Sequence, residues 1–475
     1  MSVETNERGA LYALVVFLCK KKSTVIDHAR AHYHQHFAEC GTGCPRDVVH
    51  APPPPAFAAA GPGSARRADA SVPDPDLGVI KTNDEASGAK ACCVSRGYFD
   101  DPFVKHFARR VPKHPPLINR GYHARVATVR AVLDAFLDAT FDADGQSASS
   151  PAATSPGDDR VAEARHENSF GKKRQIVSLG AGFDTSYFRL RTMLTRRREE
   201  TLEKHTRQPC SLTFVEIDHK AVIEEKAGIV NATQSLREAC VGGDGVRMMG
   251  ENEDGLFQKE NKNAFADGGG YVMCGCDLRD TRALDAALSD TARLDPNVPT
   301  LFLSECCLAY LEAEEASEVL RWAASWGEGE GEGKSLDLKP PPLRAYFAYD
   351  PSLIGDANDS KTNESARDRF GEQMLLNLRA RGCPLLGAEK TRGVAKHVER
   401  ARRNGWEIAG AVDMLAASKR LAYENPSESR RVAFIEPLDE LEEYELIQAH
   451  YVVSWGVRGA DDDAARLERV VDRSA

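Results

Sequence analysis

The stretch from Gln175 to Leu190 places the strongest constraint on what this chain can fold into. Ile176, Val177 and Leu179 favour a buried strand, and Gly180 and Gly182 follow where a backbone must turn sharply and approach a ligand. A strand that runs into a glycine turn and then a helix is the opening unit of a doubly wound α/β sheet. A dinucleotide fingerprint needs a further glycine where this chain has Thr185, so a nucleoside without a pyrophosphate fits better. Taken alone, the two glycines also suit an ordinary strand-to-helix turn.

Three later apolar runs extend the pattern. Leu212 to Asp218, Tyr271 to Asp280 and Thr300 to Tyr310 each read as a strand that delivers a carboxylate at its C-terminal end. Ligands of open α/β sheets bind beyond the carboxyl ends of the strands, so Gly180, Asp218, Asp277 and Glu305 are expected to converge on one crevice. A single carboxylate there is commonly a helix N-cap, but several at equivalent strand ends point to a shared site. Arg344 to Asp350, Trp406 to Val412 and His450 to Trp455 supply a fifth, sixth and seventh strand. Val129, Val132, Leu133, Phe136 and Leu137 recur at helical spacing and mark a helical lid ahead of the first strand.

These residues resemble the leucine carboxyl methyltransferases, a family of S-adenosylmethionine-dependent class I enzymes. The likeness rests on Leu179 to Thr185, Asp101 to Phe103, Ile118 to Tyr122 with Arg125, Asp277 to Asp280, Ser304 to Cys306, Arg369 to Gly371, and Asn404 to Trp406 leading to Asp413 and Met414. It spans residues 82–458, in family order. The resemblance implies an α/β, Rossmann-like fold with a seven-stranded, mostly parallel sheet, helices on both faces, the N-terminal lid and an insertion between strands five and six. It implies that Lys90 and Arg125 hold the carboxylates of the cofactor's methionine and of the substrate. Asp218 would hold the ribose, Asp277 with Leu278 the adenine, and Glu305 the methionine portion, with Gly180 in the turn beneath. Tyr310, just past the fourth strand, is placed to give the substrate carboxylate a second hydrogen bond, or to pack on the following helix. Arg120 reads equally as a site cation or as an anchor of its own turn. Where the family commonly carries a second basic residue after the one matching Lys90, this chain has Ala91.

The implied partner is the catalytic subunit of type-2A protein phosphatases, methylated on the α-carboxylate of its C-terminal leucine. A related branch methylates a wybutosine intermediate in transfer RNA and stands as the runner-up; a non-catalytic phosphatase partner that keeps the cofactor crevice is a third reading. The chemistry needs no Ser-His-Asp or Cys-His arrangement. A peptide α-carboxyl group ionises near pH 3.5, so at neutral pH it is already the nucleophile. What the protein must supply is alignment and exclusion of water.

Composition agrees with this reading. The 62 basic and 72 acidic residues leave a net charge of −10, with no overall basic field to draw in nucleic acid. The 12 cysteines are scattered, with Cys92–Cys93 and Cys306–Cys307 adjacent, which suits a reducing cytoplasmic compartment better than a disulfide framework. The apolar run Ala10 to Cys19 is too short for a bilayer, which takes about 20 residues. His32, His34, His36, Cys40, Cys44 and His50 are too irregularly spaced for a structural zinc site, so no metal is expected. Residues 1–80 read as a leader and linker, 81–458 as the folded domain, and 459–475 as a charged tail. Loop insertions are expected near 143–173, 191–207, 242–270 and 327–342, the second of them basic and helical in character. The protein is expected to act as a monomer.

Overall fold

The computed structural model describes residues 75–138, 173–204, 211–241, 246–248, 270–328, 343–354 and 368–459. The leader with its His/Cys run, most of the expected insertions and residues 460–475 of the charged tail lie outside these residues, whereas 75–80, expected as the end of the linker, are helical. Two helices come first, α1 (Pro75–Arg96) and α2 (Pro116–Asp138), with a short 3₁₀ turn at Val104–His106 between them. Proline suits such starts because its missing N–H is one that a first turn leaves unpaired anyway. The alternating part then runs β1 (Lys173–Leu179), α3 (Ser186–Lys204), β2 (Ser211–Asp218), α4 (Lys220–Ala232), α5 (Gln234–Val241), β3 (Val246–Met248) and β4 (Gly270–Gly275). It continues with α6 (Thr281–Ala286), β5 (Thr300–Glu305), a 3₁₀ turn at Leu308–Tyr310, α7 (Ala313–Ser325) and β6 (Arg344–Pro351). The last part holds α8 (Arg369–Ala380), α9 (Gly393–Arg403), β7 (Ile408–Asp413), α10 (Met414–Glu424), α11 (Pro426–Ile435), α12 (Leu441–Ala449) and β8 (Tyr451–Arg458).

The strands form one sheet in the order β3-β4-β2-β1-β5-β6-β8-β7. Pairing is parallel from β3 to β6, and β8 runs antiparallel to both β6 and β7. The seven expected strands are all present. The eighth, β3, is a three-residue edge strand within the stretch read from sequence as an insertion. The basic 191–207 stretch, read as helical in character, is helix as far as Lys204: it continues α3, with Leu190 and Leu194 buried beneath its arginines. The apolar residues there fall on one face, so the charges cover solvent while the helix pays for itself by packing.

Alternation along the strands fills both faces. Ile176, Phe214, Leu303 and Phe347 point to the side covered by α2, α3 and α4, where Val132, Leu133 and Phe136 meet them. Val177, Val215, Phe302 and Tyr346 point to the opposite side, against Leu284, Val319 and Trp322. A sheet buried on both faces explains why these strands read as nearly continuous apolar runs.

One ion pair lies inside this core. Lys226 Nζ on α4 is 2.6 Å from Glu216 Oε2 on β2, and neither side chain is exposed. Tyr271 donates its hydroxyl to the same oxygen at 2.8 Å, and its ring stacks on Tyr187 at 3.8 Å. Burial pushes the Glu216 carboxyl up to about 7, against the pull of Lys226 and Tyr271. Because the folded value lies above the ordinary 4.5, the contribution of Glu216 to stability is complete below that pH and is lost as pH rises towards about 7. Glu216→Gln is therefore expected to flatten the thermal midpoint across that window. A variant that keeps the wild-type slope there would remove Glu216 as its source.

Candidate functional site

The strand order puts the carboxyl ends of β4, β2, β1, β5 and β6 side by side, and the residues that follow them line one edge. At its centre is the turn after β1. Gly180 and Gly182 have φ values of +65° and +51°, in the left-handed region that favours glycine. A Cβ on Gly180 would stand 2.2 Å from Cys307 Sγ, and one on Gly182 would stand 2.2 Å from Asn83 Oδ1 on α1. The backbone here is bare because its neighbours leave no room for a side chain.

Asp218 closes this turn from β2. Its Oδ2 accepts the Gly182 N–H and its Oδ1 the His219 N–H, both at 2.6 Å. Burial raises its pKa, and the two N–H groups act against that rise. Each oxygen keeps a lone pair for a donor such as a ribose hydroxyl. Asp218→Ala is expected to weaken cofactor binding by about 1 to 3 kcal/mol through the loss of a charged acceptor. Calorimetry with S-adenosylhomocysteine checks this, and unchanged affinity would exclude a ribose role.

On the other side of the turn stands a compact set of charges. Glu305 Oε1, at the end of β5, accepts Arg125 Nε at 2.5 Å and lies 3.1 Å from Lys90 Nζ. Lys90 Nζ is also 3.3 Å from Asp184 Oδ1. Burial pushes Glu305 up, but Arg125 and Lys90 overcome it and hold the carboxyl below its ordinary value. Asp184 behaves alike: Lys90 and Lys226 outweigh burial and keep it strongly acidic. Burial works against the Lys90 charge, yet Glu305 and Asp184 carry its pKa above the usual value. All four groups therefore stay ionised at neutral pH, and their charges cancel.

Arg125 is the member with donors to spare. Its Cζ lies 5.5 Å from the Tyr122 ring centroid and 5.1 Å from that of Tyr349. Nε is committed to Glu305, and among the described residues its two Nη groups donate no hydrogen bond. Tyr310 sits in the 3₁₀ turn after β5, beside the apolar cluster of Leu353, Met374 and Leu378. Burial holds its hydroxyl pKa far above the ordinary value, which keeps it a neutral donor. Between Glu305 and Tyr310 the chain bends sharply at Cys306, whose φ is +55°.

The remaining expected residues divide. Leu278 is buried under the β4 end, whereas Asp277 lies at the exposed rim with its carboxylate held by Arg279 at 2.7 Å. Arg120 lies away from the charge cluster and donates to the Glu436 carbonyl at 2.7 Å, an anchoring contact. Ala91 packs in the core. Asp184 and Tyr122 lie inside signatures quoted above but were given no place in the site, and neither was Tyr349. Tyr122 precedes Arg125 by one helical turn, a spacing that puts the two on one face and offered a signal. Asp101, part of a quoted signature, accepts Thr185 Oγ1 at 2.6 Å and the Phe103 N–H at 3.0 Å, so it ties the segment before α2 to the turn after β1.

A sheet in this order, with a glycine turn after its first strand, an acidic residue ending its second and an antiparallel strand next to the edge, is that of a class I methyltransferase. The comparisons with known proteins narrow the class. Residues 80–324 match the model of the family described as leucine carboxyl methyltransferase, and the chain belongs to that family. It is 28% identical to Leucine carboxyl methyltransferase 1 homolog of Arabidopsis thaliana, covering 80% of this chain and 90% of that one. Leucine carboxyl methyltransferase 1 of Bos taurus is 28% identical, over 82% of this chain and 92% of the relative. The tRNA wybutosine-synthesizing protein 4 of Homo sapiens is 31% identical over 80% of this chain, but only 44% of that longer protein is covered. Among solved structures, PigF with SAH is 10% identical with a TM-score of 0.28, covering 60% of this chain and 50% of that one. Likeness at that level has no bearing on function.

The methyl donor of the family is S-adenosylmethionine. The residues present fit it: the turn after β1 presents backbone without side chains, Asp218 offers an acceptor, and Lys90 with Arg125 offers cations beside the Glu305 carboxylate. Among the described residues no helix is long and apolar enough to cross a membrane, and no group of metal-ligating side chains is present.

Proposed function

We propose that this protein transfers a methyl group from S-adenosylmethionine to the α-carboxylate of a protein's C-terminal leucine, that of the type-2A phosphatase catalytic subunit, forming a methyl ester. The observation that carries the reading is Arg125. Its Nε is fixed on Glu305 and its Nη groups are open among the described residues, the form of a receptor for a second carboxylate. Glu305 balances part of the positive charge, so the acceptor meets a tempered cation. That matters because the negative charge of the carboxylate disappears in the transition state, and a tighter grip on the ground state would slow the transfer.

Bound in the crevice, S-adenosylmethionine supplies an electrophilic methyl group on a sulfonium. The chain's own residues supply position. Arg125 and Tyr310 hold one oxygen of the acceptor and leave the other to attack, while Lys90 meets the carboxylate of the cofactor's methionine and Asp218 its ribose. Asp277 and Leu278 close over the adenine from the β4 end. No residue has to move a proton, since the acceptor arrives ionised and the ester carries no charge. The free thiols of Cys92, Cys93, Cys274, Cys276, Cys306, Cys307 and Cys383 support a reducing, cytoplasmic setting.

The test is incubation of the protein with methyl-labelled S-adenosylmethionine and the phosphatase catalytic subunit, with and without its terminal leucine. Base-labile label that requires the leucine is the expected result. Label entering transfer RNA instead would overturn the substrate, and label on neither would overturn the reading.

A further inference from the structure

Arg125 comes from α2, yet the groups that fix it come from three different elements. Glu305 ends β5 and Tyr349 lies on β6, and the two are register partners on adjacent strands. Glu305 takes Nε at 2.5 Å, and the Tyr349 ring centroid is 5.1 Å from Cζ. Tyr122, one turn earlier on α2, brings a second ring to 5.5 Å. Tyr349 is 3% exposed and is backed by Tyr451, with ring centroids 5.4 Å apart and planes inclined by 27°. The brace is thus built into the sheet and does not hang on a loop.

A lone hydrogen bond through Nε leaves a guanidinium free to swing about that bond. Rings within about 6 Å of a cation add an attraction that depends on their faces, which restrains the plane of the group. Two rings from separate elements restrain it further, and the edge left over is the Nη edge. We propose that Tyr122 and Tyr349 are positioning residues for methyl transfer: their rings hold the Arg125 plane so that its Nη edge faces the acceptor carboxylate. This rests on the acceptor reading above and gives a role to Tyr122, which closes the quoted Ile118 to Tyr122 signature, and to Tyr349, which lies outside every quoted signature. The requirement is for a ring and not for a hydroxyl, so phenylalanine should serve where leucine fails.

The experiment compares Tyr349→Phe, Tyr349→Leu, Tyr122→Phe and Tyr122→Leu in the full chain, with labelled transfer to the leucine-ended phosphatase subunit at saturating cofactor. Each leucine variant is expected to lose about ten-fold in kcat, the scale of a lost cation–π contact, while calorimetric affinity for S-adenosylhomocysteine stays within about two-fold. Each phenylalanine variant is expected to keep kcat within about three-fold. A substrate-free readout runs alongside: the Arg125 Nε–H resonance in protein labelled with ¹⁵N-arginine. It should lose the ring-current shift in the leucine variants and keep it in the phenylalanine variants. If wild-type protein labels no acceptor, the acceptor reading fails while the resonance still decides the brace. Leucine variants with wild-type kcat, or a resonance that does not move, overturn the proposal. So do phenylalanine variants as impaired as the leucine ones. A leucine variant that does not fold is replaced by methionine at the same position, with the same readings.

Discussion

Arg125→Lys is expected to lower kcat/KM for a leucine-ended acceptor by about 100-fold, the scale on which a misplaced nucleophile loses rate. Lysine keeps the charge and can still reach Glu305, but it has one nitrogen where arginine has three. Spending that nitrogen on Glu305 leaves nothing directed at the acceptor. The substitution does not abandon a buried carboxylate, because Glu305 also has Lys90 at 3.1 Å. The fold and the thermal midpoint should therefore change little, and the loss should lie in transfer. Arg125→Ala should be worse still, since both the charge and the Nη edge go. Rates of label transfer at saturating cofactor make the measurement. A lysine variant within a few-fold of wild type would mean that Arg125 acts as a charge alone and orients nothing.

The second large effect is expected at Gly180. Alanine there would bring a Cβ to 2.2 Å from Cys307 Sγ and 2.6 Å from Cys307 Cβ, at a φ of +65° that costs a side chain a further 1 to 2 kcal/mol or so. The turn has to move, and both backbone N–H groups that bind the Ile217 carbonyl, from Gly180 at 2.8 Å and Ala181 at 3.2 Å, move with it. Gly180→Ala is thus expected to cut S-adenosylhomocysteine affinity at least ten-fold, and Gly180→Arg to abolish calorimetric heat altogether. Adding Cys307→Gly removes both clashing atoms but not the backbone strain, so the double variant should recover part of the loss. Full recovery would show that sterics alone matter, and none would show that Cys307 is not the obstacle.

Much of this edge was legible because strands of an α/β sheet announce their carboxyl ends. An apolar run closing on an acidic residue located Asp218 and Glu305, and the glycine turn located Gly180. The seven strands and their mostly parallel sense followed from the apolar runs and the resemblance, whereas their order is read from the structure. What stayed hidden was side-chain pairing across the chain. Lys90 lies on a helix far ahead of β1, and nothing local says that it will meet Asp184 as well as Glu305. The contact of Tyr349 with Arg125 depends on the register of β5 against β6, which the sequence does not print. Several of the quoted signatures prove to be joints of the scaffold. Asp368 caps α8 by accepting the Gly371 N–H at 2.7 Å, and Phe370 packs on His450. Trp406 is buried and donates to the Leu320 carbonyl at 3.1 Å.

The parallel strands have a further consequence for how this chain tolerates its own length. β1, β2, β4, β5 and β6 all run parallel, so the chain enters each of them at its amino end on the same side of the sheet. Those entry points are on the rim opposite the glycine turn. Segments can therefore grow or shrink there by whole stretches while the spacing of Gly180, Asp218 and Glu305 is kept by backbone ladders alone.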